Sequence, residues 1–314
     1  MFKKFLISHA PFIHSGSSTV RKNSRILSAM LPMVVFATLI YGWPAISVLL
    51  LSVSFAIGIE LLIRLPLGKK LDVIDGNAAV IGLMFGLMLP ATVQWWIILI
   101  GIFIAIVLAK QFFGETGENP FNPVLVAYAV LLLSWGDLLN FNQTYFPYSI
   151  GFSTVDPLTM LKQFGPKAIE SFSSWNLFIG QQLGGIGTTF GLGIVIGGFY
   201  LILKGDIRWE ISFSFIVGLF ICAYLFHISN PEKYATPLFH IVTGYALFGV
   251  FFLATEDASS PTYRLPMILY GLGAGALTVL IRNIGIYTDG VVFAILLMNA
   301  ASPLLDKLHF RSYQ

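Results

Sequence analysis

Apolar residues fall along this chain in long blocks separated by short polar breaks. A membrane-spanning helix needs about 20 mostly apolar residues, within a range of about 17 to 25. Blocks of roughly that length recur at 26–43, 44–63, 77–91, 93–110, 121–138, 185–204, 210–228, 236–254, 265–282 and 288–305. The third and the tenth are short and carry polar residues. The pattern predicts an all-α integral membrane protein with about ten transmembrane helices. The segment before the first block, MFKKFLISHAPFIHSGSSTVRKNSR, has no continuous apolar core and no small-residue cleavage site, so it does not read as a signal peptide. It is expected to be a basic cytoplasmic arm, residues 1–25.

The breaks divide the blocks into two groups of five. Residues 26–138 form the first group and 185–306 the second, followed by a tail, 307–314. Between the groups lies 139–184, rich in Asn, Ser, Phe, Gly and Gln, a length that is usually functional or disordered in a compact protein. The groups resemble each other. The apolar run from Trp96 to Lys110 leads into KQFFGETGENPFNPVLVAY, and the run from Met267 to Arg282 leads into RNIGIYTDGVVFAILLMN. Five is odd, so the second group crosses the bilayer in the opposite sense. Two five-helix inverted repeats are a transporter-like architecture, with sites near the midplane where the repeats meet.

Composition agrees. Of 314 residues, 56% are hydrophobic and 11% charged, against about 25% charged in soluble proteins. A cytosolic enzyme, a secreted disulfide scaffold, a disordered tail and a nucleic-acid binder are all disfavoured, and the bilayer is the expected surrounding. The single cysteine, Cys222, excludes an internal disulfide and an iron–sulfur cluster ligated by this chain alone, which takes about four thiolates. Net charge is only +3, but its placement orients the chain. With both termini inside, all Lys and Arg fall on the inner side except Lys162, Lys167, Lys233 and Arg282, as the positive-inside rule requires. Segment 139–184 then faces outside.

Ionisable groups within spans are costly and are functional candidates. Glu60 ends the second block, Asp75 begins the third, Asp289 begins the tenth and His240 lies in the eighth, with Glu256 and Asp257 just beyond it. Plainer roles compete. Asp75 and Asp289 each precede Gly and an apolar run, as a helix N-cap does. Glu60 stands four residues before Arg64, suited to an i,i+4 pair. His240 reads more readily as a packed histidine bonded to a nearby carbonyl. Two stretches, GETGENPFNPV at 114–124 and GGIGTTFG at 184–191, cannot continue a helix, and such irregular backbone is tolerated at membrane depth only under cover of protein or beside a cavity. The N–H groups opening the helix near Asn122 suit an anion or a cofactor ring. Neither stretch has the context of a nucleotide motif. Two classes fit: a solute channel or transporter, and a membrane subunit of a redox-driven ion pump.

Four segments carry a resemblance. They are DGNAAVIGLMFGLMLP at 75–90, AKQFFGETGENPFNPVL at 109–125, PLFHIVTGYALFGVFFLATEDASSP at 237–261 and IRNIGIYTDGVVFAILLMNAASPLLD at 281–306. In order and content they resemble the family formed by the D-type membrane components of Rnf electron-transport complexes and, more distantly, the B-type components of sodium-pumping NADH:quinone oxidoreductases. The resemblance implies a subunit of an ion-translocating oxidoreductase in the bacterial cytoplasmic (inner) membrane. Such a complex passes electrons between ferredoxin and NAD by way of flavin and couples that flow to Na+ or H+ movement. The implied partners are the other membrane and peripheral subunits; the chain is not expected to catalyse alone, and no metal ligands are expected in it. Glu60, Asp75 and Asp289 are the implied ion-handling acids. Gly114, Gly117, Asn119, Asn122, Gly184, Gly187 and Thr189 are the implied flavin-facing positions.

Family members typically carry FMN joined through its phosphate to a threonine in Asp-x-x-Ser-Gly-Ala-Thr-Pro-Leu. Here Ser153 to Leu158 reads Ser-Thr-Val-Asp-Pro-Leu, which puts Asp156 at the acceptor position and Ile150 at the leading Asp. A carboxylate has no hydroxyl for a phosphoester and repels a phosphate. Thr154 and Thr159 are the nearest hydroxyls, without the motif around them. Thr188 stands where the family has Glu, Asn77 where it has Ser, and Glu256 where it has Asp. Covalent FMN is therefore not expected; FMN or riboflavin held without a covalent bond is. The competing expectation is a transporter or channel on the same scaffold that has lost redox function.

Overall fold

The computed structural model describes residues 19–65, 75–113, 117–141 and 156–308. Among these, the regular structure is entirely helical. The first half holds α1 (Thr19–Tyr41), α2 (Trp43–Arg64), α3 (Asn77–Met88), α4 (Trp95–Phe103) and α5 (Pro123–Trp135). Two short helices follow, α6 (Pro157–Phe164) and α7 (Ser174–Phe178). The second half holds α8 (Gly191–Lys204), α9 (Trp209–Ser229), α10 (Pro237–Val242), α11 (Ala246–Phe248), α12 (Arg264–Ile284) and α13 (Val291–Asp306). Five described helical stretches are long and apolar enough to cross a membrane: Thr19–Tyr41, Trp43–Arg64, Trp95–Phe113, Trp209–Ser229 and Arg264–Ile284. The chain is thus a multi-pass membrane protein.

The remaining blocks form shorter apolar helices. At about 1.5 Å per residue, the 12 residues of α3 reach about 18 Å, short of a hydrocarbon core of about 30 Å. Both ends of α3 are fixed by sequence. Asp75 Oδ1 accepts from Asn77 N at 2.8 Å, and Pro90 follows two residues after the last turn. The block 236–254 is not one helix, as the apolar pattern predicts. It breaks at Thr243-Gly244, where Gly244 takes φ +64, into α10 and α11, and α11 runs on into a π turn over Gly249–Leu253. A left-handed residue cannot sit inside a right-handed helix, and glycine adopts it without a Cβ penalty.

Small residues bring the helices together, as usual where lipid gives no hydrophobic drive for association. A Cβ on Gly275 would lie 2.1 Å from Phe215 O and one on Gly218 2.3 Å from Leu272 O, so α9 and α12 pack backbone to backbone. Gly82 gives α3 the same approach to Ser52 of α2, and Gly197 gives α8 the same approach to Ala29 of α1. Across the halves, α1 packs on α8 and α5 on α13; within them, α2 packs on α4 and α9 on α12. Leu39, Leu62, Leu133, Leu203, Phe213 and Leu225 remain exposed on the outer faces, the positions that lipid covers.

Candidate ion and cofactor sites

Among the described residues, two of the cavities open beside the short helices α3 and α11. The first, about 580 Å³, is lined by Lys22, Asn23, Asn77, Met84, Lys110, Gly117, Asn119, Asn122, Val124, Phe252, Glu256 and Asp257, among others. The second, about 300 Å³, is lined by Tyr128, Asp156, Thr159, Gly184, Gly185, Gly244, Tyr245, Thr288 and Asp289, among others. The helices α3, α5 and α11 reach from one toward the other.

Around the first cavity the polar groups are tightly committed. Asn122 caps α5, its Oδ1 accepting from Val124 N at 2.9 Å, while its Nδ2 donates to Leu253 O at 3.0 Å. Pro123 at the first helical position and Asn before it explain why α5 starts here. Asn119 Nδ2 donates to Glu256 Oε1 at 2.9 Å and to Phe121 O at 3.0 Å, and Ser259 Oγ donates to Glu256 Oε2 at 2.8 Å. Burial pushes the Glu256 carboxyl up to about 7, against the hydrogen bonds of Asn119 and Ser259, which lower it. Behind the wall, Glu60 is fully buried and its Oε1 takes both Arg64 at 2.8 Å and Lys110 at 2.9 Å. Its Oε2 has no hydrogen-bond partner among the described residues. A helical i,i+4 pair is therefore joined by a second base from 50 positions along the chain. Asp75 is not the N-cap of α3, a place that Gly76 takes; it stands one residue before, its carboxylate accepting from Asn77 N and its carbonyl from Asn23 Nδ2 at 2.7 Å.

Asp289 belongs to the second cavity. Its Oδ1 accepts from Arg282 Nε at 3.2 Å, Arg282 Nη2 at 3.0 Å and Val291 N at 3.1 Å, and its Oδ2 accepts from Tyr245 N at 2.7 Å. Arg282 also donates to His240 O at 2.6 Å and Thr243 O at 3.0 Å. One guanidinium and one carboxylate thereby satisfy the backbone groups freed by the break between α10 and α11. Gly244 permits this: a Cβ there would lie 2.2 Å from Asp289 Oδ2. The His240 ring is fully buried, and neither ring nitrogen has a partner among the described residues, so the expected ring bond to a carbonyl is not found there, and His240 bonds through its backbone, to Arg282 and Thr236.

Asp156 caps α6. Its Oδ1 accepts from Leu158 N at 3.2 Å, and its Oδ2 accepts from Thr159 N at 3.1 Å and Thr159 Oγ1 at 2.8 Å. Burial pushes its carboxyl up to about 6, and the Asp289 carboxylate adds to the rise. Gly114 and Thr154 lie outside the described residues. Of the second glycine stretch, only Gly184 and Gly185 line a cavity. Gly187 N donates to Leu87 O at 3.1 Å and Ile186 N to Leu89 O at 3.1 Å, and a Cβ on Gly187 would lie 2.2 Å from Leu87 Cδ2. The stretch caps the carboxyl end of α3, and that close approach explains its glycines. Thr189 is buried behind Gly184 and lines neither of these two cavities itself.

The sequence reading thus misses Lys110, Arg282, Tyr128 and Tyr245. A base ending an apolar run, at 110 and again at 282, is the signal by which the first two could have been found. The tyrosines sit in apolar runs, where aromatic residues usually mean packing.

The NQR2, RnfD, RnfE family matches this chain over residues 6–313. The chain belongs to that family. Among NQR2/RnfD/RnfE relatives, the D component of the Na(+)-translocating ferredoxin:NAD(+) oxidoreductase complex of Acetobacterium woodii is 34% identical over 96% of this chain and 92% of its own length. The D component of the proton-translocating ferredoxin:NAD(+) oxidoreductase complex of Clostridium ljungdahlii is 34% identical over 96% and 94%. The D component of the ion-translocating oxidoreductase complex of Aeromonas salmonicida is 32% identical over 97% of both chains.

Proposed function

We propose that this chain is the D-type membrane subunit of an Rnf-like complex that couples electron transfer between ferredoxin and NAD to cation movement. The observation that carries it is the similarity to D-type components over nearly the whole of both chains. The buried ion pairs Glu60–Lys110 and Arg282–Asp289, one near each cavity, support a role in handling charge. Relatives named for sodium and for protons match equally well, so the ion is a quantity to measure.

The architecture we propose is two inverted repeats of five, α1–α5 against α8–α13, with α10 and α11 counted as one broken span. Pairing of first with first helix and last with last, and of second with fourth inside each half, supports a two-fold relation. Lys22, Arg25, Lys110 and Lys204 at the first cavity support a cytoplasmic placement of that end, with both termini inside and the membrane being the inner one.

Covalent FMN does not fit the acceptor position. Asp156 has no hydroxyl, and both its oxygens are engaged by α6. Thr159 Oγ1 is engaged by Asp156 in turn. A flavin held without a covalent bond fits the first cavity better, where the volume suits a cofactor and Gly117, Asn119, Asn122 and Asn77 supply polar walls. Such a group would supply one- and two-electron acceptance; the residues here would bind and orient it. The test is purification of the chain with its neighbouring subunits, followed by in-gel flavin fluorescence and quantification of released flavin. The expected result is co-purifying subunits, no fluorescent band at this chain, and loss of released flavin on Asn119→Leu. A fluorescent band overturns the reading of Asp156. A chain that purifies alone, without flavin, and conducts solute by itself favours the transporter reading.

A further inference from the structure

The two cavities approach each other along three helices. On α5, Val124 lines the first and Tyr128 the second. On α3, Met84 lines the first, while Met88 O, one turn on, accepts from Tyr245 Oη at 3.0 Å. Phe252 of the π turn lines the first, and Tyr245, just before α11, lines the second. On α5 one helical turn, about 6 Å, therefore separates the residues facing each cavity, and Tyr245 and Phe252 stand about two turns apart. At that level the Tyr128 and Tyr245 hydroxyls meet at 2.6 Å, with rings edge to face at 5.5 Å and both side chains buried.

The direction of these bonds follows from proton count. A tyrosine hydroxyl has one proton. Tyr245 gives its proton to the Met88 carbonyl, which has none to give, so Tyr128 donates to Tyr245. The Tyr128 oxygen keeps its acceptor capacity at the edge of the second cavity. Tyr245 is held from both sides: its hydroxyl by α3 and α5 of the first half, its backbone N–H by Asp289 of the second half. It also follows the left-handed Gly244 at the break.

We infer that the hydrogen-bonded Tyr128–Tyr245 pair is the partition between the two cavities, closed in this conformation and tied through the Tyr245 backbone to the Arg282–Asp289 pair. The inference rests on the ion-translocating reading. When Asp289 or Arg282 changes its contacts, Tyr245 N–H is released and the pair opens; the cation then passes Tyr128 from one cavity to the other. Tyr128 and Tyr245 are positioning residues for that passage.

The test uses the whole complex in proteoliposomes, with passive 22Na+ and proton flux read without reductant and electron-driven uptake read with it. Tyr128→Ala is expected to raise passive flux of the translocated cation at least tenfold. Tyr128→Phe, which keeps the ring and is the safer variant for folding, is expected to lower the cations moved per electron severalfold while passive flux stays low. Tyr270→Ala is the control, because Tyr270 is equally buried, bonds Asn299 at 2.6 Å and lines neither cavity. Tight vesicles and an unchanged ratio in both Tyr128 variants overturn the partition. Equal leakage from Tyr270→Ala does so too, by making the leak general damage. Wild-type vesicles that transfer electrons but move no cation sink the ion-translocating reading itself, and with it the partition.

Discussion

At the scale of single residues, the chain concentrates its electrostatic cost in a few buried groups. Arg282 and Asp289 satisfy each other and the freed backbone of the α10–α11 break, so removing one partner strands the other in a low-dielectric setting. Glu256 carries a different burden. Burial lifts its folded-state value to about 7 from an ordinary 4.5. The folded protein therefore holds a proton that the unfolded chain has lost between those two values, and stability falls as pH rises through that window. Glu256 is partly exposed, so water screens the effect to an order of magnitude of 1–2 kcal/mol. Glu256→Gln is expected to flatten this dependence. Thermal unfolding of the purified complex at pH 5 and pH 8 checks it: the wild type loses more between the two than the variant does, and parallel losses would contradict the assignment.

Elements owe their positions to close backbone approach. The α9–α12 contact depends on Gly218 and Gly275, where a Cβ would meet a carbonyl well inside contact distance. Gly275→Val is expected to force these helices apart and to cost about 1–3 kcal/mol as overpacking does, read as a lower midpoint of thermal unfolding in detergent. Gly136→Ala, where a Cβ meets nothing within 4 Å, is the matched control and should leave the midpoint near wild type. Much at this scale was legible beforehand. Long apolar blocks located the helices, and Asn122 was readable as a helix entrance because a short polar side chain before an apolar run has that local chemistry; Asp75 reads the same way but falls one residue before the Gly76 that starts α3. The break at Gly244 was not legible, since one glycine in an apolar run reads as tolerated. Nor was the reason for Gly185 and Gly187, whose constraint comes from the end of α3, about 100 positions earlier in the chain. Glu60–Lys110 and Tyr128–Tyr245 are likewise long-range meetings that no local spacing announces.

As a whole molecule, the chain is one part of a machine: a helical membrane scaffold in which, among the described residues, two of the cavities each have a charge pair nearby and a tyrosine pair stands at the second. Membership of the NQR2, RnfD, RnfE family and near-full-length likeness to D-type components place the chemistry in a complex rather than in this chain alone. On the reading proposed above, Asp156 sets this chain's handling of flavin apart from the family's attachment motif, while the ion-pair framework remains. The most direct measurement is cation uptake by inverted membrane vesicles from cells with and without the gene for this chain, driven by reduced ferredoxin and NAD. The expected result is uptake of Na+ or H+ that starts with the electron donor, disappears without the chain and returns when it is restored. Uptake that runs without electron transfer, or that persists in vesicles lacking the chain, would contradict a role for this chain in redox-driven cation movement.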